Sequence, residues 1–237
     1  MSENALSKVA VALDTADRDE LRSWAAYFGP RVGVLKVGLE AFVRWGPAVV
    51  VEVREQAAAV FLDLKLHDIP NTVAGAVAGA EKAGADYLTV HAAGGSAMLA
   101  AAAAAAERVR LLAVTLLTHL DAAALDELEL AGDGRHRARS WATLARRAGC
   151  AGAVCSPLEV AELRAAAPSP FLLVTPGIRF GQEPSDQAGD DQRRVATPSA
   201  ALAAGADLLV VGRPLTRAAD PARALAQLER ELCEVRR

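Results

Sequence analysis

The chain has 237 residues, of which 52% are hydrophobic and 23% are charged, and its formal net charge at pH 7 is −3. This length and composition are typical of one large α/β domain with a hydrophobic core, and the mild charge gives no reason to expect nucleic acid or an anionic membrane as a partner. No segment resembles a secretory signal or approaches the ~20 apolar residues of a membrane span, so we expect a cytoplasmic protein.

Short apolar runs alternate with longer amphipathic or alanine-rich segments along the whole chain. Eight runs predict strands, in the order VAVAL (9–13), VGVLKVG (32–38), AVFLDLK (59–65), DYLTVH (86–91), LLAVTLLT (111–118), GAVCS (152–156), FLLVTPG (171–177) and DLLVVG (207–212). Continuous rather than alternating apolar runs are typical of parallel strands buried on both faces. Each run precedes a helix candidate, which predicts a single-domain (β/α)₈ TIM barrel over residues 1–237. A doubly wound open sheet is the alternative, but no G-x-G-x-x-G follows the first strand.

Two local patterns concern the connections between these elements. The tetrapeptide AGAD occurs at 83–86 and again at 204–207, directly before two strand candidates. Its glycine predicts the end of the preceding helix. The segment LDAAALDELELAGDG, residues 120–134, is predicted to be a solvated connection.

Polar or glycine residues follow every strand candidate, at the end where a barrel of this kind carries its active site. In chain order they are Asp14, Lys36, Asp63 with Lys65 and the following Asp68, His91, Thr115 with Thr118, Ser156, Arg179, and Gly212 with Arg213. One such residue has an ordinary structural explanation, such as an ion pair or a lysine that reaches solvent. Eight strand ends that all carry one indicate a functional site.

The third strand concentrates charge. Asp63 and Lys65 are two residues apart, so on a strand they point to the same face, opposite to Leu62 and Leu64. If the leucines face the helices, the two charged side chains face the barrel opening together with Lys36. A purely structural network of ion pairs would give the same pattern, but its position at the catalytic end favours function.

The last third of the chain is typical of anion binding. TPGIR and GRPLTR place glycine and arginine, Arg179 and Arg213, after strands seven and eight, where barrels commonly bind phosphate. The long polar loop between them, FGQEPSDQAGDDQRRVATPS, is predicted to be a lid.

Other common chemistries are not indicated. The histidines, cysteines and carboxylates show no zinc-site spacing, and no Ser–His–Asp arrangement can be argued. Cys150, Cys155 and Cys233 are expected to be inert thiols in a reducing compartment. His91 is either a core histidine with satisfied hydrogen bonds or an orienting residue.

The motifs VALD, LKVG, LDLKLHDIPNTV, TPGIR, GDDQRRVATP and VVGRPLTRAADP closely resemble the bacterial type of the orotidine 5′-phosphate decarboxylase family. The resemblance extends from Asp14 to Pro221. The D-x-K-x-x-D core alone is less specific, because related sugar-phosphate lyases share it. One small difference is His119 after Thr118, where a serine is more usual.

The resemblance implies decarboxylation of orotidine 5′-phosphate to UMP and CO₂, the last step of de novo pyrimidine synthesis, without cofactor or metal. Lys36, Asp63, Lys65 and Asp68 would form the charged tetrad. Lys65 would donate the proton to C6 of the pyrimidine, and Asp63 would lie beside the substrate carboxylate.

The resemblance also implies substrate contacts and a homodimer. Asp14 and Lys36 would bind the ribose, and Thr118 and Ser156 the pyrimidine. The phosphate would be held by Arg179, Gln192, Gly212 and Arg213. Pro176 would be a further substrate contact. Asp68, Ile69 and Thr72 would reach the neighbouring subunit's site.

Two alternatives remain at this stage. One is a sugar-phosphate lyase of the same superfamily, such as a hexulose phosphate synthase or a keto-gulonate phosphate decarboxylase, whose D-x-K-x-x-D would bind Mg²⁺ through carboxylates. The other is a phosphate-binding barrel without catalytic activity, in which the charge cluster is structural.

Overall fold

The computed structural model describes residues 4–130, 132–180 and 194–234. Within these ranges eight parallel strands close a barrel in sequence order, with the last strand paired to the first. They are β1 (Val9–Ala12), β2 (Val34–Gly38), β3 (Val60–Leu66), β4 (Tyr87–His91), β5 (Arg110–Val114), β6 (Gly152–Val154), β7 (Leu172–Thr175) and β8 (Leu208–Val211). The predicted TIM barrel is confirmed.

Helices follow the strands and cover the outside of the barrel. They are α1 (Arg18–Phe28), α2 (Leu39–Trp45), α3 (Ala48–Arg54), α4 (Pro70–Lys82), α5 (Gly95–Ala105), α6 (Ala122–Glu127), α7 (Gly134–Arg147), α8 (Val160–Ala166), α9 (Pro198–Ala203), α10 (Arg213–Thr216) and α11 (Pro221–Glu234), with 3₁₀ turns at Ala5–Lys8 and Ala92–Gly94. Among the described residues, none of the helices combines the length and the hydropathy that a membrane crossing needs.

Local sequence explains several helix boundaries. Asp17 begins α1, because its carboxylate accepts hydrogen bonds from the backbone N–H groups of Asp19 and Glu20. Pro70 occupies the first turn of α4, where its missing N–H costs nothing.

The connection after β5 is mostly exposed, as the prediction of a solvated connection requires, but it also contains a short helix. The strand ends at Val114, and α6 lies within residues 120–134. The side chain of Asp121 accepts a hydrogen bond from Ala124 N, and Leu125 is buried. A capping carboxylate and one buried leucine therefore stabilise a short helix in this segment, which its acidic composition did not predict.

The apolar core has two parts. The larger part lies between the strands and the helices. The smaller part fills the interior of the barrel and comprises Ala10, Val34, Phe61, Tyr87, Leu112, Val174 and Leu208. Because this layer packs the interior, polar side chains on the strands find space only at the barrel ends.

The repeated AGAD segments form matching turns at the N-terminal end of the barrel. Gly84 and Gly205 follow α4 and α9 with φ angles of +97° and +106°. This left-handed conformation favours glycine and ends a helix, as predicted.

The aspartates of these segments hold neighbouring strands. Asp86 Oδ2 accepts a hydrogen bond of 2.7 Å from Val60 N, at the start of β3. Asp207 Oδ2 accepts one of 2.7 Å from Leu173 N in β7. Each carboxylate also pairs with an arginine. These ion pairs are therefore part of the strand framework.

Candidate active site

A cavity of about 660 Å³ opens at the C-terminal end of the barrel. Its floor is apolar and includes Phe61, Val154 and Val210. Nine of the residues predicted from the sequence lie on its wall, namely Asp14, Lys36, Asp63, Lys65, Thr118, Pro176, Arg179, Gly212 and Arg213. An apolar floor under convergent polar groups is the usual form of a small-molecule site.

Lys36 is buried in the wall, with 6% of its surface exposed. Its Nζ lies 3.1 Å from Asp14 Oδ1 and 3.7 Å from Asp63 Oδ2. Gly38 leaves the space for this arrangement, because a Cβ there would lie 2.4 Å from Asp14 Oδ1. Burial alone would lower the pKa of Lys36, but the carboxylates of Asp14 and Asp63 outweigh it and the net pKa is raised. Lys36 is therefore a fixed positive charge at neutral pH.

Asp63 lies between the two lysines. Lys65 Nζ donates to both of its oxygens at 2.9 Å. Thr89 Oγ1 donates to Asp63 Oδ1 at 2.9 Å. Burial alone would raise the pKa of Asp63, but Lys36 and Lys65 outweigh it, so the net pKa is below its ordinary value. Asp63 is therefore a carboxylate at neutral pH.

The backbone of Lys65 departs from the regular strand that the sequence predicts. Its φ angle is +51°, in the left-handed region, and the β3–β4 register shifts between Leu62 and Leu66. Lys65 N donates to Thr89 Oγ1 at 2.8 Å, which anchors the irregular segment. A lysine in this conformation costs about 1–2 kcal/mol, and such strain is concentrated at functional sites.

Thr89 was missed by the sequence analysis, which considered only strand ends. It is completely buried in β4 and bonds both the carboxylate of Asp63 and the backbone of Lys65. The available signal was a polar residue two positions before His91, inside an otherwise apolar strand.

These contacts link Asp14, Lys36, Asp63 and Lys65 in a row of alternating charge. Each lysine has a carboxylate neighbour within 3.1 Å. The row ends at the Lys65 ammonium, whose side chain is 39% exposed at the cavity. It can therefore present a positive charge to a bound molecule.

Asp68, Ile69 and Thr72 do not line the cavity of their own chain. All three are exposed, and Ile69 is 67% exposed. Asp68 Oδ1 accepts a hydrogen bond of 2.6 Å from Ile69 N. Within one chain, the predicted fourth member of the charged tetrad is thus absent from the cavity wall.

Ser156 is not among the residues that line the cavity, and its pyrimidine contact stays a prediction. Its side chain is fully buried, and Oγ accepts a hydrogen bond of 3.3 Å from Leu158 N. Because the turn toward α8 begins at Ser156, the preceding Cys155 lines the cavity instead. Burial raises the pKa of the Cys155 thiol to about 12.

The predicted anion-binding residues lie around the ends of β7 and β8. Arg179, Gly212 and Arg213 all line the cavity. Arg179 N donates to Ala196 O at 2.9 Å, and Ala196 N donates to Gly177 O at 3.1 Å, so the chain on either side of residues 181–193 is paired. Gln192, with most of the predicted lid, lies outside the described residues.

The histidines have mainly local roles. His91 Nδ1 accepts a hydrogen bond of 3.2 Å from Ala93 N, and its ring stacks on His67 with centroids 5.4 Å apart. Burial lowers the pKa of His91. His119, by contrast, lines the cavity. In the described part of the chain, no group of three His, Cys, Asp or Glu side chains is placed to hold a metal ion.

Comparisons with known proteins match the chain to one family over most of its length. The model of the orotidine 5′-phosphate decarboxylase / HUMPS family matches residues 7–228. The chain is 53% identical over 225 residues to the orotidine 5′-phosphate decarboxylase of Thermobifida fusca, covering 94% of this chain and 95% of that protein. The corresponding enzyme of Anaeromyxobacter sp. strain K is 52% identical over 218 residues, covering 92% and 94%.

A solved structure gives the same result. The crystal structure of orotidine 5′-phosphate decarboxylase from Lactobacillus acidophilus superposes with a TM-score of 0.81 at 35% identity, covering 94% of this chain and 98% of that one. The resemblance found in the motifs is thereby confirmed over nearly the whole chain. The chain belongs to the orotidine 5′-phosphate decarboxylase / HUMPS family.

Proposed function

We propose that this chain decarboxylates orotidine 5′-phosphate to UMP and CO₂, the final step of UMP biosynthesis. The observation that carries the proposal is the row of alternating charge that ends at the Lys65 ammonium, on the wall that also holds Arg179 and Arg213. A positive charge for a developing carbanion and two arginines for a phosphate match the two ends of this substrate. The names of the similar proteins support the same activity.

The reaction breaks the bond between C6 of the pyrimidine and its carboxylate carbon. The electron pair stays at C6, CO₂ leaves, and C6 then takes a proton. Lys65 stabilises the developing negative charge by its fixed positive charge and donates that proton from Nζ. Asp63 lies beside the reacting carboxylate, and its own carboxylate, 2.9 Å from Lys65 Nζ, holds the lysine side chain in place.

The remaining contacts position the substrate. In this proposal Asp14 and Lys36 bind the ribose hydroxyls, and Thr118 binds the pyrimidine. Arg179, Gly212 and Arg213 bind the phosphate, with Pro176 beside them and Gln192 supplied by the segment outside the described residues. Phosphate binding far from C6 provides energy that holds the reacting groups in order. Ser156, which follows the cavity-lining Cys155 and whose Oγ accepts a hydrogen bond from Leu158 N, is the second pyrimidine contact in this proposal.

A homodimer completes the site in this proposal. Asp68, Ile69 and Thr72 of one subunit enter the cavity of the other, so that Asp68 becomes the fourth charged group beside Lys65. Two observations support it. The three residues are exposed and leave their own cavity without Asp68, and the apolar side chains of Ile69 and Val43 are 67% and 74% exposed.

A cytoplasmic location is proposed on the state of the cysteines. Cys150, Cys155 and Cys233 are all free thiols. Free thiols are ordinary in a reducing compartment, where UMP synthesis would take place.

A magnesium-dependent lyase is the alternative for the same D-x-K-x-x-D motif. In the described residues, Asp63 Oδ2 already lies 2.9 Å from the Lys65 ammonium and 3.7 Å from the Lys36 ammonium. A third positive charge beside Asp63 would therefore be opposed by Lys36 and Lys65. This arrangement favours the reaction without Mg²⁺.

The test is the ultraviolet absorbance of orotidine 5′-phosphate mixed with the purified chain, with and without EDTA. We expect the orotate signal to fall at the same rate in both. Lys65→Ala should slow the reaction by more than about 10³-fold, because it removes both the charge and the proton donor. Lys8→Ala, at an exposed lysine remote from the cavity, is the matched control and should not change the rate.

Two results would contradict the proposal. A folded dimer that leaves the absorbance unchanged would exclude this substrate. Turnover that EDTA abolishes and Mg²⁺ restores would favour the lyase, for which sugar phosphates would be tested next.

A further inference from the structure

One arginine outside the predicted set connects three loops at the C-terminal end of the barrel. Arg194 Nη1 lies 2.5 Å from Glu159 Oε1. Arg194 Nη2 donates to Leu117 O at 3.0 Å, and Arg194 Nε is 3.4 Å from Thr118 O. The loops after β5, β6 and β7 are therefore held by one guanidinium group.

Glu159 is the buried partner of this arginine. It is 1% exposed, and its Oε2 accepts a hydrogen bond of 3.1 Å from Ser156 N. A carboxylate so far from solvent is stable only with such partners. Burial raises the pKa of Glu159, although Arg194 opposes the rise.

The position of Arg194 joins two sides of the cavity. Leu117 and Thr118, whose carbonyl oxygens it binds, both line the cavity. Two residues further along the chain, Ala196 exchanges backbone hydrogen bonds with Gly177 and Arg179 on the side assigned to the phosphate. A segment of three residues thus contacts both walls.

From this geometry we infer that Arg194 and Glu159 are a positioning pair. The pair fixes the position of the loop that carries Thr118 relative to the phosphate-binding residues. The inference rests on the proposed function, because it assigns the two walls to the pyrimidine and the phosphate. Neither residue of the pair is among those that line the cavity. The pair acts through the backbone of Thr118 and couples recognition of the base to recognition of the phosphate.

The chain contains a matched control at the opposite end of the barrel. Arg164 pairs with Asp207 and donates to the backbone carbonyls of Gly205, Ala167 and Phe171. Its side chain is 20% exposed, against 21% for Arg194. It has the same chemistry and burial but no contact with the cavity, so its loss reports the purely structural effect.

The experiment measures kcat and KM for orotidine 5′-phosphate, together with thermal unfolding, for Arg194→Ala, Arg164→Ala, Thr118→Ala and the double variant Arg194→Ala/Thr118→Ala. Arg194→Ala should lower kcat/KM by about 10–100-fold, whereas Arg164→Ala should lower the unfolding temperature and leave kcat/KM within about threefold. The double variant should lose far less than the product of the two single losses, because both act on the same contact. Arg194→Lys keeps the positive charge but loses the planar guanidinium group that donates to several acceptors at once. Its kcat/KM should lie between those of wild type and Arg194→Ala.

The outcomes separate this inference from the proposed function. A wild-type chain without turnover would overturn both. Turnover in the wild type, with equal losses of kcat/KM in Arg194→Ala and Arg164→Ala or with additive losses in the double variant, would overturn the positioning role alone. If Arg194→Ala does not fold, Arg194→Lys and its double variant with Thr118→Ala decide the same question.

Discussion

Asp86 and Asp207 at the N-terminal end of the barrel, and Asp63 at the C-terminal end, are all carboxylates paired with cations, but they bond to different groups. At the N-terminal end, Asp86 and Asp207 accept hydrogen bonds from strand N–H groups as well as from arginines. At the C-terminal end, Asp63 bonds to the side chains of Lys65 and Thr89 and lies near Lys36. The first arrangement fixes backbone, whereas the second fixes charges around a cavity.

The difference has an energetic consequence. A carboxylate that satisfies a buried N–H group stabilises the fold, because the N–H would otherwise lose its partner. A group of paired side chains at a cavity wall contributes little net stability, since desolvation offsets the attraction. The positive φ angle of Lys65, at the C-terminal end, also lowers the stability of the folded chain. We therefore expect changes at the two ends to affect different measurements.

The largest expected effect concerns Asp68, whose side chain does not line the cavity of its own chain. Lys65→Ala and Asp68→Asn dimers should each be nearly inactive. Mixing equal amounts under conditions that exchange subunits should restore about a quarter of the wild-type sites, because half of the dimers are hybrids with one intact site each. The measurement is turnover before and after exchange.

Mixing that restores no activity, with hybrid dimers shown by mass spectrometry, would contradict the crossing of Asp68. The control is a mixture of Lys65→Ala with Lys65→Ala carrying a second tag. It should remain inactive throughout.

A smaller effect is expected at the phosphate side of the same end. Arg213→Ala removes charge-assisted hydrogen bonds worth about 1.5–3 kcal/mol, so kcat/KM for orotidine 5′-phosphate should fall by about 10–100-fold. For orotidine, which lacks the phosphate, the change should have almost no effect. Arg223→Ala, on the exposed face of α11, is the control. An equal fall of kcat/KM for both substrates would show that Arg213 does not bind the phosphate.

The smallest effect on catalysis is expected at the N-terminal end. Asp207→Ala deprives Leu173 N of its acceptor, and the free energy of unfolding should fall by about 1–3 kcal/mol. Asp207→Asn keeps an acceptor oxygen and should lose less. Urea unfolding measures both, and kcat/KM should stay within about twofold of wild type. A large loss of turnover in Asp207→Ala without a loss of stability would contradict the claim that the two ends affect different measurements.

The sequence was sufficient for the barrel and for much of the site. Continuous apolar runs indicated parallel strands, and the rule that barrels act at strand ends selected Asp14, Lys36, Asp63 and Lys65. These four are close in space because they lie on, or directly after, the neighbouring strands β1, β2 and β3, which is a consequence of topology.

Other features depend on contacts between distant segments. The left-handed Lys65 rests on a bond to Thr89, 24 residues away. The orientation of Ser156 follows from the turn that begins α8, and Arg194 reaches Leu117 across 77 residues. Strand periodicity contains no information about such pairings. The proposed entry of Asp68 into a second subunit's cavity came from the resemblance and not from the residues themselves.

The most direct test of the contrast between the ends is the urea unfolding of Lys65→Gly, at matched protomer concentration, with turnover measured on the same samples. Glycine removes the charge and also relieves the positive φ angle. We predict a variant without turnover that is at least as stable as wild type and about 1 kcal/mol more stable than Lys65→Ala. A loss of stability as large as that of Asp207→Ala, or turnover near the wild-type rate, would show that Lys65 serves the fold and would contradict the account.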